Sequence, residues 1–123
     1  MSEMSLDEYR KSKPSKYKNK KQEYDGYTFD SIAELRRYKE LVLLVRAGAI
    51  SDLTLQPSYE LQPSFKANGK TVRAIHYIAD FQYSERGRTV VVDVKGMRTK
   101  EFNIKEKLFR FRYPDIDLRI VKM

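Results

Sequence analysis

Apolar residues recur at Ile32, Leu35, Tyr38, Leu41, Val42 and Val45, a spacing that marks one face of a helix. Ser31 followed by Glu34 fits a capping box, and Gly48 is a good C-terminal stop, so the pattern predicts a helix from about Ser31 to Ala47. Beyond it the period changes. Leu53-Thr54-Leu55 and Tyr59-Glu60-Leu61 are short strand-like pieces punctuated by Pro57 and Pro63, as near a sheet edge. Asn68-Gly69 is a hairpin turn, and the stretch from Val72 to Tyr83 alternates and is rich in β-formers. Glu85-Arg86-Gly87-Arg88 turns the chain into Thr89 to Lys95. The consecutive valines Val90, Val91 and Val92 there suit a strand buried on both faces. Phe102, Lys105, Leu108, Phe109 and Arg112 restore a helical register from about Lys100 to Arg112, with Thr99 as cap and Tyr113-Pro114-Asp115 as stop. Leu118 to Val121 is a last short strand. The expected fold is α/β with a mixed sheet, in the order helix, several strands, helix, strand.

The first 23 residues differ in kind. Between Arg10 and Lys21 lie seven basic residues and no acid. With little to bury, this stretch is expected to be a flexible basic arm, either a solubilising tail or a DNA-binding element that includes Lys16, Lys18, Lys20 and Lys21. Residues 24–123 then form one domain, with Tyr24-Asp25-Gly26-Tyr27 as a tight turn at its start.

Composition narrows the chemistry. The chain of 123 residues carries 25 lysines and arginines against 17 acids, a net charge of +8, which makes nucleic acid the leading partner on charge alone. Cysteine is absent and His76 is the one histidine, so thiolate and multi-histidine metal sites are excluded. A metal would be held by oxygen ligands, which favours Mg2+ or Mn2+. No apolar run approaches membrane-spanning length and the N-terminus lacks a signal-peptide core. A soluble cytoplasmic protein is expected.

One constellation remains. Asp80 interrupts the apolar stretch Tyr77-Ile78-Ala79-Asp80-Phe81, where an unpaired carboxylate would be costly. Asp93 and Lys95 are two residues apart in a strand and project from one face. An antiparallel hairpin pairing Tyr83 with Val90 sets Asp80 nearly opposite Asp93. Two carboxylates can bind a divalent cation that polarises a phosphate and activates water, while a lysine stabilises developing negative charge. An incidental ion-pair network is the duller reading. Arg98, Lys100 and Lys105, around the start of the second helix, are candidates for the DNA path, as against a solvated helix face.

Asp80, then Asp93-Val94-Lys95, resembles the motif of the PD-(D/E)XK nuclease superfamily, with Ala79 standing where proline is common. The resemblance implies a restriction-endonuclease-like α-β-β-β-α-β core and a metal-dependent endonuclease. Members often carry an acidic residue on the first helix that completes the metal site, a place Glu34 fits, although a capping glutamate is expected there in any case. Catalysis is thus expected of Glu34, Asp80, Asp93 and Lys95, and metal binding of Asp80, Asp93 and Glu34. The segments Tyr24 to Ser31, Gly48 to Leu53, Leu55-Gln56-Pro57, Tyr77 to Phe81 and Asp93 to Gly96 are also similar to a family of small phage and prophage proteins catalogued as a domain of unknown function. That similarity implies a phage or prophage setting in a bacterial host. Within it, a structure-selective enzyme of DNA recombination or replication, such as a junction resolvase, is expected because few residues remain for sequence reading. Such an enzyme cuts two symmetric strands and is expected to form a homodimer, with Phe102, Phe109 and Phe111 as candidate contacts. The alternative is a non-cleaving nucleic-acid-binding module, or a subunit that cuts only within a larger complex.

Overall fold

The computed structural model describes residues 20–123. The chain divides into two compact units, Met1–Tyr38 and Lys39–Met123. Lys16 and Lys18, and most of the expected arm, lie outside the described residues.

The first unit contains β1 (Gln22–Tyr24) and β2 (Tyr27–Phe29), an antiparallel pair. They are joined by Asp25-Gly26 at φ 55° and 80°, the left-handed pair a two-residue hairpin turn requires. Gln22 and Glu23, read from sequence as part of the arm, are therefore in a strand, while Lys20 and Lys21 are exposed. Helix α1 (Ile32–Arg46) begins in this unit and continues into the next. Tyr38 on α1 packs its ring against Phe29, Tyr27 and Tyr24, with centroids 5.0, 5.8 and 6.2 Å away, and its hydroxyl donates to Asp25 Oδ2 at 3.1 Å. Aromatic contacts thus fasten the hairpin to the helix.

The second unit is a mixed α/β assembly. After α1 come β3 (Ser51–Leu55), β4 (Ser58–Gln62), β5 (Phe65–Ala67), β6 (Lys70–Val72), β7 (Ile75–Ile78), β8 (Phe81–Glu85), β9 (Arg88–Lys95), α2 (Lys100–Arg112) and β10 (Asp117–Lys122). The main sheet runs β10-β9-β8-β3. β3, β8 and β9 are antiparallel neighbours, and β10 lies parallel to β9 with α2 as the crossover that parallel strands need. The ladders β4–β7 and β5–β6 are inserted between β3 and β8. Val90, Val91 and Val92 are all fully buried, as a strand covered on both faces should be. Each such burial stabilises by about 1.5–3 kcal/mol.

Two sequence expectations change here. The stretch from Val72 to Tyr83 is not one strand but the end of β6, all of β7 and the start of β8. The chain leaves one ladder and joins another at Ala79 and Asp80. The Ala79 amide donates to the Pro57 carbonyl at 3.1 Å, and the Asp80 amide donates to the Val92 carbonyl at 3.2 Å. Phe102 and Phe109, expected as dimer contacts, belong instead to the core with Leu61, Tyr77, Ala79, Val91 and Leu118. Phe111 stays exposed. Among the described residues no helix is long and apolar enough to cross a membrane.

Candidate functional site

The site is built where β8 begins, against the end of β9. The register Phe81↔Val92 and Tyr83↔Val90 is the one the turn at Arg86-Gly87 dictates, and it sets position 80 against position 93. One step beyond Phe81 the ladder stops. The amide of Val94, which a longer β8 would satisfy with a carbonyl, donates instead to Asp80 Oδ2 at 2.7 Å. Such a charge-assisted bond is stronger than the neutral bond it replaces. Asp80 is thus held against the backbone segment that carries Asp93.

Asp93 is 2 % exposed. A buried carboxylate needs partners, and two are in place. The Tyr77 hydroxyl donates to Asp93 Oδ2 at 2.5 Å, and Lys95 Nζ lies 3.5 Å from the same oxygen. Burial pushes the Tyr77 phenol above its ordinary range. The hydrogen bond to Asp93 and the negative charges of Asp93, Asp80 and Glu106 push it the same way. Tyr77 therefore remains a donor at any ordinary pH. Lys95 and Asp93 share a strand face as alternation requires. The ammonium also lies 4.5 Å from the centre of the Phe102 ring, a cation–π contact that orients it.

Beside Lys95 opens a cleft of about 300 Å³, lined by His76, Tyr77, Ile78, Lys95, Thr99, Glu101, Phe102 and Lys105. His76, read from sequence as a partly buried polar residue, is exposed on this cleft. Thr99 caps α2 by accepting from the Phe102 amide at 3.0 Å. Lys105 Nζ pairs with Glu101 Oε2 at 3.3 Å. Lys100 is exposed at the start of α2. Arg98 is committed to a network: its guanidinium reaches Glu106 Oε1 at 2.6 Å, and Arg110 reaches Glu106 Oε2 at 2.9 Å. Burial alone would raise the Glu106 carboxyl, but Arg110 and Arg98 more than offset this and hold it below the usual carboxylate range. Of the cations expected along a DNA path, Lys105 lines the cleft and Arg98 is partly neutralised.

Glu34 is a cap. Its amide donates to Ser31 Oγ at 3.1 Å and its Oε1 accepts from the Asp30 amide at 3.0 Å. The first bond satisfies a donor that the helix start leaves open, and the second ties Asp30, the residue before the cap, to the first turn. The described residues contain no group of three or more His, Asp or Glu side chains arranged to hold a metal ion. The set the second unit offers is two carboxylates, Asp80 and Asp93. That suits Mg2+, which keeps several waters and is commonly held by one or two carboxylates, and does not suit zinc.

Sequence reasoning named both acids and the lysine that the structure brings together, but not Tyr77 or Glu106, and it gave Phe102 only as a dimer contact. Tyr77 carried a legible signal: a phenol in the same apolar stretch as Asp80 must find a hydrogen-bond partner once buried. The roles of Phe102 and Glu106 depend on how α2 packs, which the local pattern does not reveal.

The family model described as "Protein of unknown function (DUF1064)" matches residues 14–123. Among curated proteins, none matches the chain.

Proposed function

Starting from the premise that the chain belongs to that family, we propose that it is a divalent-metal-dependent DNA endonuclease of the PD-(D/E)XK type, with Asp80, Asp93 and Lys95 as its catalytic residues. One observation carries the reading. Two carboxylates and an ammonium, thirteen and two residues apart in sequence, are gathered at one end of the β8–β9 pair, beside a cleft lined by Lys95 and Lys105.

Asp80 and Asp93 would hold Mg2+ or Mn2+, which when bound polarises the scissile phosphate and acidifies a water. Tyr77 keeps Asp93 fixed by donating to one of its oxygens. Lys95, 30 % exposed and steadied by Phe102, is able to neutralise charge that builds on a phosphate oxygen. Lys105 supplies attraction for the flanking backbone. The cleft offers lysines to phosphates, which suits a substrate chosen by DNA shape, such as a branched junction, over one chosen by base sequence.

A second reading has one observation in its favour. Asp93 is buried and already engaged by Tyr77 and Lys95, so the metal site would need to open. A subunit that cuts only within a larger complex, or a binding module that never cuts, would look the same.

The test is cleavage of labelled junction, flap, single-stranded and duplex DNA with Mg2+, Mn2+ or EDTA. Cutting is expected with metal only. Asp80→Asn, Asp93→Asn and Lys95→Met should each lower it by about 10²–10³-fold or more while binding in EDTA persists. Binding without cutting under every metal would move the assignment to the second reading.

A further inference from the structure

The ribbon β5–β6 has no part in the site described above. It runs from Phe65 to Val72, turns at Asn68-Gly69 with both residues in the left-handed region, and is exposed along its whole length. Its charge has one sign. From Leu61 to Ala79 there is no acidic residue, while Lys66, Lys70 and Arg73 fall within or beside the ribbon. Lys66 stands opposite Thr71, and Lys70 opposite Ala67, so the register sends the two lysines to opposite faces. Phe65 and Val72, directly paired, stay 46 % and 36 % exposed on the same face as Lys70.

Edge strands are often guarded by charge, but guarding needs neither a single sign nor exposed apolar side chains. Cations on both faces with a small apolar patch between them match a nucleic-acid groove, where phosphates line both walls and base edges and methyl groups form the floor. Size agrees. Two strands lie about 4.8 Å apart, and the major groove, about 12 Å wide, admits a two-stranded ribbon.

We propose that the β5–β6 ribbon enters a groove of duplex DNA, with Lys66, Lys70 and Arg73 against the phosphates, and so fixes where along the duplex the site engages. This rests on the nuclease reading for its purpose but not for its measurement. The ribbon is tied to the site through β7: Arg73 is followed by Ile75–Ile78, which carries Tyr77, and the chain then reaches Asp80. From Asp80 back to Gly69 the chain covers eleven residues, about 36 Å if extended. The groove contact therefore lies up to about eleven base pairs from the site, at roughly 3.4 Å per pair.

The experiment uses the full chain and the variant Lys66→Gln/Lys70→Gln/Arg73→Gln, binding labelled duplex and single-stranded DNA across a salt series in EDTA. The plot of log affinity against log salt should become shallower by about 2 to 3 for the variant on duplex, at roughly 0.9 per phosphate contact. Lys66→Arg/Lys70→Arg should restore it, and the melting temperature should not move. An unchanged slope, or an equal loss on single strands, would overturn the groove contact. Cleavage run in parallel separates the two ideas. A ribbon-dependent slope without any cutting leaves the ribbon standing and removes the nuclease, whereas cutting with an unchanged slope does the reverse.

Discussion

Asp93 is buried, yet its charge is met by one phenol and one ammonium on the same oxygen. Removing the phenol leaves an acceptor short of a partner, so Tyr77→Phe should cost about 1–3 kcal/mol by denaturant unfolding at neutral pH. The same residue gives a pH signature. A phenol raised in the folded state contributes stability that is fully present below its unfolded value of about 10 and is lost as pH rises past it. Burial is the main cause, followed by Asp93. Stability should therefore fall above about pH 10, and Tyr77→Phe should flatten that fall. The fall should not vanish, because burial raises Tyr38 and Tyr59 as well. Asp80, Asp93 and Lys95 were legible because each breaks a hydrophobic pattern. Their spacing, with one turn between, implied a register the structure has. That Tyr77 needs a partner was legible, but that the partner is Asp93 was not, since the bond joins residues from two ladders.

At the level of elements, both helix starts were readable because Ser31 and Thr99 are hydroxyls placed before a periodic run, and each accepts the bond a cap should. The hairpins at Asp25-Gly26, Asn68-Gly69 and Arg86-Gly87 were readable for a related reason: the glycine advertises positive φ. The break at Ala79 and Asp80 carries no glycine or proline. It falls where adjacent amides go to carbonyls distant in sequence, that of Ala79 to Pro57 and that of Asp80 to Val92. Glu34 is where an element-scale role and a chemical one collide. Since Oε1 caps α1, Glu34→Gln keeps the acceptor and should stay within about 0.5 kcal/mol of the parent, while Glu34→Ala should lose about 1 kcal/mol, measured by thermal unfolding. Loss of cutting in Glu34→Gln at unchanged stability would assign its carboxylate to the reaction instead.

For the molecule as a whole, the net charge of +8 says that polyanions are attracted, and only the fold says where. Lys105 reaches the cleft, Arg98 is drawn off by Glu106, and Lys66 and Lys70 stand on a ribbon that the sequence presented merely as a turn between strands. A string of basic residues cannot reveal such sorting, because it depends on which acids the packing brings near each cation. The bond from the Val94 amide to Asp80 has a spectroscopic consequence. Amides within the ladders of this sheet meet neutral carbonyls, but this one points at a carboxylate. Its proton resonance should sit far downfield. In two-dimensional NMR that single peak would serve as a built-in voltmeter for the site. If Mg2+ is held there, titrating the ion should move the Val94 peak first, before any phosphodiester is present to be cut. A peak indifferent to Mg2+ would show that the ion is not held at Asp80.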